Sequence, residues 1–546
     1  MVALDSLDWS IIAGYLAAMI GLGWWLSTSQ STAEDYFLGS RQRGPWSISV
    51  SVLATQCSTN SILGAPAFVA FVGGGGLVWL QYELAVPLAM VVLMLWVFPA
   101  LYRRREFSIY GLLEARFDRA TRAWISGIFQ IARVLAAAIT IYGVASIISL
   151  VTGLTFLQSV LIFGLVTVVY DYFGGINGVI FSDVIQMLVL VGVLLWLFAT
   201  LWLGENSPIA WLGVVDPDRV RIFDFSGHGL GDGNDFGFWP MLFGGLFLYV
   251  AYYGLDQSQA QRLLTAQSER SGQWALALNG FLRLPLVCLY CALGVGLAMY
   301  ASENPQFIDL LPQKPSGPDF NMALPRYMIE TLGPGWLGLA FIALLAAAMS
   351  SLDSVLNALS ATTVSDFLMP SRWGHRQPKT RWIGIAKAMT LLWGSLAMLL
   401  AFWVDDISPS ILVAINKIGS LFNGPILGVF ALALLTRRVT GRAVRTGLVV
   451  GFGANLLTWL LLPGVSWLWW NVLGALVCIA TAALFSLISR TSGHGSWPLS
   501  DPTVRGVSLL GQSRTLVMGL CGYFVFMVLV FSQLEPFVDW VAGSKS

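Results

Sequence analysis

Residues 54–66 read Ala54-Thr55-Gln56-Cys57-Ser58-Thr59-Asn60-Ser61-Ile62-Leu63-Gly64-Ala65-Pro66, a polar run set inside an apolar segment that extends over 47–71. A helix crossing a bilayer needs about 20 mostly apolar residues. The seven consecutive residues Thr55 to Ser61 make a poor lipid-facing surface, and Gly64 and Pro66 help to break the helix. Carbonyl and amide groups bared at such a break can bind an ion or a solute. The plainer alternative is a buried polar interface between helices.

The surrounding chain has the composition of a membrane protein. Of its 546 residues 11% are charged and 56% hydrophobic, with mean hydropathy +0.73 and net charge +1. Soluble chains carry roughly 25% charged residues, so a soluble enzyme, a nucleic-acid binder and a disordered chain are all poorly supported. Fourteen apolar segments are long enough to span: 8–27, 47–71, 76–101, 123–150, 155–173, 178–203, 237–255, 273–300, 335–365, 383–403, 408–435, 443–463, 467–489 and 515–533. With the N-terminus outside, 22 of the 30 Lys and Arg fall in the odd-numbered, cytoplasmic loops or in the first few residues of the spans that follow them. That bias follows the positive-inside rule and predicts both termini outside a plasma or bacterial inner membrane. Met1 to Asp8 carries two aspartates and no basic residue, so the first segment is expected to be a retained span. The five cysteines lie in apolar runs and the three histidines in loops, which predicts no metal site, no cofactor and no catalytic chemistry.

Polar and ionisable residues inside spans face the bundle interior and mark a pathway. Beyond the second span, the seventh reads Leu248-Tyr249-Val250-Ala251-Tyr252-Tyr253-Gly254-Leu255-Asp256-Gln257 and is interrupted near Gly254. The two interrupted spans lie five apart and so have opposite orientations, as an inverted-repeat transporter requires. In the ninth span Ala347, Ser350, Ser351 and Ser354 share a helix face, extended by Asn357, with Asp353 among them. Hydroxyls there and carbonyls at a helix break would suit a hard cation such as sodium. Glu83, Asp183, Arg133, Arg283 and Lys417 are isolated charges, for which mutual pairing is the bland explanation.

Four segments now resemble one family in order and spacing: Asp35-Tyr36-Phe37-Leu38-Gly39; Phe173-Gly174-Gly175-Ile176-Asn177-Gly178-Val179 through Ser182-Asp183-Val184-Ile185-Gln186; Asp256-Gln257 through Gln261-Arg262; and Ser350-Ser351 through Asn357-Ala358. Over residues 8–435 the chain resembles the sodium:solute symporter family, whose members include sodium/glucose, sodium/monocarboxylate, sodium/proline and iodide transporters. The resemblance implies an all-α membrane protein of about fourteen helices with a five-plus-five inverted-repeat, LeuT-like core. That core would occupy 47–435, flanked by an extra helix and linker over 1–46 and by extra helices over 436–546. It implies sodium as the coupling ion, held by the carbonyls of Ala54, Cys57 and Ala347 and the hydroxyls of Ser350 and Ser351. A second cation site in some members matches Asp183, Ser350, Asp353 and Ser354. The family often has a hydroxyl residue where Asp353 stands, so this site could be strengthened or become a proton site. The solute would lie near Asn60, Ser61, Glu83, Tyr249, Tyr252, Arg283 and Asn416, with Tyr252 at the position of an inner-gate aromatic.

Ser61 and Tyr249 stand where a sugar-transporting member has amides, and a permanently charged Arg283 favours a carboxylate, with Lys417 nearby. The expectation is therefore a sodium-coupled importer of a small organic solute, with an organic anion such as a monocarboxylate slightly favoured over a sugar. Lipid is the other expected partner, and no nucleic acid. The rivals are a proton-coupled transporter of the same architecture and a sensor that binds solute without moving it.

Overall fold

The computed structural model describes residues 4–27, 30–202, 216–315, 317–404, 411–489 and 513–543. Its principal helices, in chain order, are α1 (Ser6–Ser27), α2 (Ala33–Leu38), α3 (Pro45–Gln56), α4 (Thr59–Phe71), α5 (Trp79–Tyr102), α6 (Arg119–Thr152), α7 (Phe156–Trp202), α8 (Pro240–Leu255), α9 (Gln257–Leu264), α10 (Glu269–Glu303), α11 (Trp336–Leu368), α12 (Arg381–Trp403), α13 (Ile411–Leu435), α14 (Gly441–Leu461), α15 (Trp469–Ile488) and α16 (Arg514–Gly543). Eleven helices among the described residues are long and apolar enough to cross a membrane. The only described sheet is a two-residue hairpin, Gln313–Lys314 with Gly317–Pro318.

Burial sorts the helices into centre and periphery. In α11, 94% of the most apolar window is buried inside the protein, against 17% in α1 and 22% in the last span. Around α11 pack α3, α6 and α7; α10 lies against α3 and α4; α13, α14 and α15 pack on one another to one side. Large apolar side chains on the peripheral helices, such as Leu188, Leu461 and Leu487, are exposed, as lipid-facing residues are.

The two polar interruptions are real, but neither sits at its glycine or proline. α4 runs without a break through Gly64 and Pro66; the chain is interrupted earlier, where Cys57 leaves helical geometry (φ −81°, ψ 53°) and Ser58 is extended. Likewise α8 runs through Gly254 and ends at Asp256 (φ −93°, ψ 123°). The cause is capping. The Asp256 carboxylate accepts from the Ser258 backbone N–H at 2.8 Å and restarts the chain as α9.

The fifth and sixth expected spans form one 47-residue helix, α7, bent at Gly175 (φ 56°, ψ −170°). Its bend is clamped by the segment before α3. Gln30 donates to Gly174 O at 2.5 Å, Tyr36 is fully buried with its hydroxyl 3.3 Å from Asp171 O, and Arg43 donates to the Asn177 side chain. Thus the Asp35-to-Gly39 and Gly174-Gly175 segments are two halves of one contact. A Cβ on Gly175 would stand 2.8 Å from Tyr36 Cδ2 and 3.0 Å from Tyr36 O, in a backbone region that L residues avoid. Gly175→Ala is expected to lower stability by at least about 1–3 kcal/mol, read as a loss of folded material in detergent size-exclusion profiles.

Asp35 completes a capping box with Thr32 at the start of α2. The Ser40 hydroxyl, 2.7 Å away, is the main cause holding the Asp35 carboxyl down at about 2; burial opposes this, and Thr32 and Ser31 add to it. The ordinary value is 3.8, so the stability this group lends is present above that pH and is lost as pH falls towards about 2. Across that window Asp35→Asn should flatten the acid dependence of thermal stability relative to the native chain.

Candidate functional site

The break between α3 and α4 faces α11. Ser350 Oγ donates to Ala54 O at 3.2 Å and to Ala347 O at 3.0 Å; Ser351 Oγ donates to Thr55 O at 2.8 Å and to Ala347 O at 3.2 Å. Two hydroxyls and three carbonyls, all buried oxygen donors, therefore converge from two helices. Such a set suits a hard, weakly held cation. Four of the five expected sodium ligands, Ala54, Ala347, Ser350 and Ser351, are joined by these hydrogen bonds; Cys57, fully buried, marks the break itself. The Thr55 carbonyl was not among the expected ligands, because its exposure depends on where α3 stops.

The residues of the expected second cation site also meet. Ser354 Oγ lies 3.1 Å from Asp353 Oδ1 and 3.1 Å from Thr55 Oγ1, and Ser51 Oγ donates to Asp183 Oδ2 at 2.5 Å. A third acid, Asp171, is fully buried on α7 before its bend. Sequence reading treated Arg262 as a cytoplasmic loop charge, but it is 1% exposed and reaches into this cluster from α9. Its position closing the Asp256-Gln257…Gln261-Arg262 segment, directly after an interrupted helix, was the signal available.

A cavity of about 180 Å³ lies between the two breaks. Ser61, Tyr249, Tyr252, Arg283 and Asn416 line it, as does Ser351, so the hydroxyls and carbonyls beside the α3–α4 break share a wall with the cavity. The Asn60 side chain lies outside the described residues. Glu83 stands behind this lining. Arg283 Nε and Nη2 donate to its two carboxylate oxygens at 3.0 and 3.2 Å, and Tyr249 donates to Oε1 at 3.1 Å. Arg283 is thus neutralised by an internal partner and keeps one buried N–H group, at Nη1, without a hydrogen bond. Arg133, also on the cavity wall, is paired with Asp256 at the α8–α9 break and sits over the Tyr252 ring at 5.1 Å. Lys417 lies over the Trp470 ring at 5.9 Å and is not part of the cavity lining. Glu83, Asp183, Arg133 and Arg283 therefore do pair, and two of the pairs border the cavity.

With this geometry in hand, comparison with known proteins is direct. The model of the sodium:solute symporter family matches residues 36–479. The chain is 27% identical over 452 residues to the sodium/sialic acid symporter SiaT of Proteus mirabilis (strain HI4320), covering 82% of this chain and 89% of that one. It is 27% identical over 460 residues to the mouse sodium-coupled monocarboxylate transporter 1, covering 82% and 72%. Against the human sodium/iodide cotransporter it is 27% identical over 453 residues, covering 82% and 69%. Among solved structures, a Na+-coupled sialic acid symporter in its substrate-bound outward-open state superposes with a TM-score of 0.77 at 24% identity, over 89% of this chain and 99% of that one. A nucleobase-cation-symport-1 family transporter in a closed conformation gives 0.55 at 12% identity, over 84% and 96%. These two likenesses establish a shared, LeuT-like helical fold. The chain belongs to the sodium:solute symporter family.

Proposed function

We propose that the protein imports a small organic solute together with sodium by alternating access. The observation that carries this reading is the pair of α11 hydroxyls, Ser350 and Ser351, set on carbonyls Ala54 and Thr55 beside the α3–α4 break. Sodium bound there ties the broken helix to α11 and favours the conformation in which the cavity is formed. Coupling follows if solute prefers the same conformation.

Eleven described helices are long and apolar enough to span; taking α3–α4 and α8–α9 as one broken span each and α7 as two arms, this reading counts fourteen. On that count the interrupted second and seventh spans belong to two five-helix repeats of opposite orientation within 47–435, with the flanking helices in 1–46 and 436–546 outside the core. Both termini then lie outside the plasma or inner membrane, in keeping with the positive-inside bias.

The pairing of Arg283 with Glu83 bears on the solute. A free arginine would offer a bidentate clamp for a monocarboxylate, but here both cavity arginines already hold a carboxylate. The cavity is otherwise faced by Arg283 Nη1, which has no hydrogen-bond partner, by the Tyr249, Tyr252 and Ser61 hydroxyls, already bonded to Glu83, Gln259 and Gln56, and by the Asn416 amide. This weighs towards a neutral or zwitterionic solute rich in hydrogen-bonding groups, and away from the monocarboxylate that the sequence slightly favoured.

The deciding experiment is thermal stability of the purified protein in sodium, potassium or choline, screened against sugars, monocarboxylates, amino acids and vitamins. A ligand at a hundredfold excess over Kd stabilises the native state by about 2.7 kcal/mol. A solute shift seen only in sodium is expected. One indifferent to sodium would move the reading to proton coupling or to a sensor.

A further inference from the structure

The loop between α11 and α12 concentrates positive charge that the chain leaves without a counter-charge. Arg372, Arg376, Lys379 and Arg381 fall within ten residues, and residues 367–404 contain no aspartate or glutamate. All four are exposed, and among the described residues none of them pairs with an acid. Other arginines expected on the same side of the membrane behave differently: Arg103 holds Glu269, Arg122 holds Glu114 and Asp366, and Arg445 holds Asp118. Arg372 lies just past the end of α11, where a cation is favoured. Lys379 and Arg381 instead open α12, which has no acid in its first turn, at the helix end that disfavours cations. An exposed aromatic stands among them. Trp373 is 46% exposed, its ring edge-on to that of the buried Trp382 at 6.0 Å. The loop is a compact turn: the Gly374 N–H donates to Ser371 Oγ at 2.9 Å and the Arg376 N–H to Trp373 O at 3.1 Å.

We propose that this loop binds the headgroup of an anionic phospholipid, its phosphate among Arg372, Arg376, Lys379 and Arg381 and the start of its acyl chains beside Trp373. The loop joins two spanning helices, so it lies at the membrane–water boundary, where tryptophan favours the interface and clustered basic residues attract acidic lipid. Guanidinium forks match phosphate oxygens. A phospholipid joins that phosphate to an apolar body at the level of the indole, which no small soluble anion does. Bound there, the lipid bridges the end of α11, the helix of Ser350 and Ser351, to the start of α12. The proposal needs only that the chain spans a membrane, and not the identity of its coupling ion or solute.

The test is native mass spectrometry of the purified full chain, counting retained phosphatidylglycerol against phosphatidylcholine with the same acyl chains. Phosphatidylglycerol should be preferred, and the preference should fall roughly fivefold for each basic residue of the loop changed to Gln, at about 1 kcal/mol apiece. Arg372→Lys joined to Arg376→Lys keeps the charge and should keep most of the preference. Arg437→Gln, Arg438→Gln and Arg442→Gln together, at exposed arginines of another loop, should leave it unchanged. An equal loss from that triple change would assign the effect to diffuse surface charge and overturn the proposal. So would soluble glycerol phosphate that displaces the lipid, since a free anion would then suffice. A second readout leaves the charges in place. Brominated phosphatidylglycerol should quench the fluorescence of the native chain more than that of Trp373→Phe, and brominated phosphatidylcholine should not separate the two. No difference with either lipid would remove Trp373 from the site and the proposal with it.

Discussion

Glu83→Gln is expected to destabilise the protein by about 3–5 kcal/mol, the penalty for leaving one partner of a buried ion pair uncompensated. Glu83 is 1% exposed and Arg283 7%, and the carboxylate takes two N–H groups from Arg283 and the hydroxyl of Tyr249. The amide keeps the shape and one acceptor but leaves the guanidinium charge in a dry interior. The drop should be visible in thermal melts without any solute present. Joining Glu83→Met to Arg283→Met removes both charges together and should restore most of the lost stability, since apolar replacement of a whole buried pair is often neutral. Solute-dependent stabilisation should not return with it, because the cavity then lacks the Arg283 N–H and the anchor for Tyr249. A single Glu83→Gln variant melting within about 0.5 kcal/mol of the native chain, the range of an ordinary surface change, would show that the pair does not hold the cavity wall.

The second large effect concerns sodium. Ser351→Ala removes one oxygen donor and the link from α11 to the Thr55 carbonyl at 2.8 Å. Interactions of charged groups with a single polar partner are worth about 1.5–3 kcal/mol, or roughly a 10- to 150-fold fall in sodium affinity. The same loss should appear in the sodium concentration needed for half-maximal uptake in proteoliposomes. Ser350→Ala should act in the same direction through Ala54 and Ala347. Full retention of sodium dependence in Ser351→Ala would mean that the coupling ion binds elsewhere.

Much of the fold was legible because bilayer thickness imposes a length on apolar segments, and because a polar stretch inside such a segment needs a reason. The second and seventh spans stood out on that ground alone. Their break points did not. Gly64, Pro66 and Gly254 were the obvious candidates, yet all three lie within helices, while the helices stop at Cys57–Ser58 and at Asp256, whose carboxylate caps the next helix. That Ala347, Ser350 and Ser351 share a helix face was readable from their spacing, since i, i+3 and i+4 positions must lie together. The cavity residues were harder, because nine helices contribute to its lining. Sequence offers a charge at each of Glu83 and Arg283 but not the fact that they satisfy each other. The same blindness applied to Arg103 and Arg122. Both read simply as cytoplasmic loop charges, yet Arg103 pairs with Glu269 at 2.8 Å and Arg122 with Asp366 at 2.7 Å. Arg262 is the sharpest case: a residue counted towards topology is 1% exposed and paired with Asp183.

One side chain, Ser351, borders both the cavity and the break between α3 and α4. Whatever factor sodium adds to the affinity for solute, solute must then add to the affinity for sodium, because linkage between two sites is reciprocal. A substitution at that shared wall is therefore expected to shift both binding curves together rather than one alone.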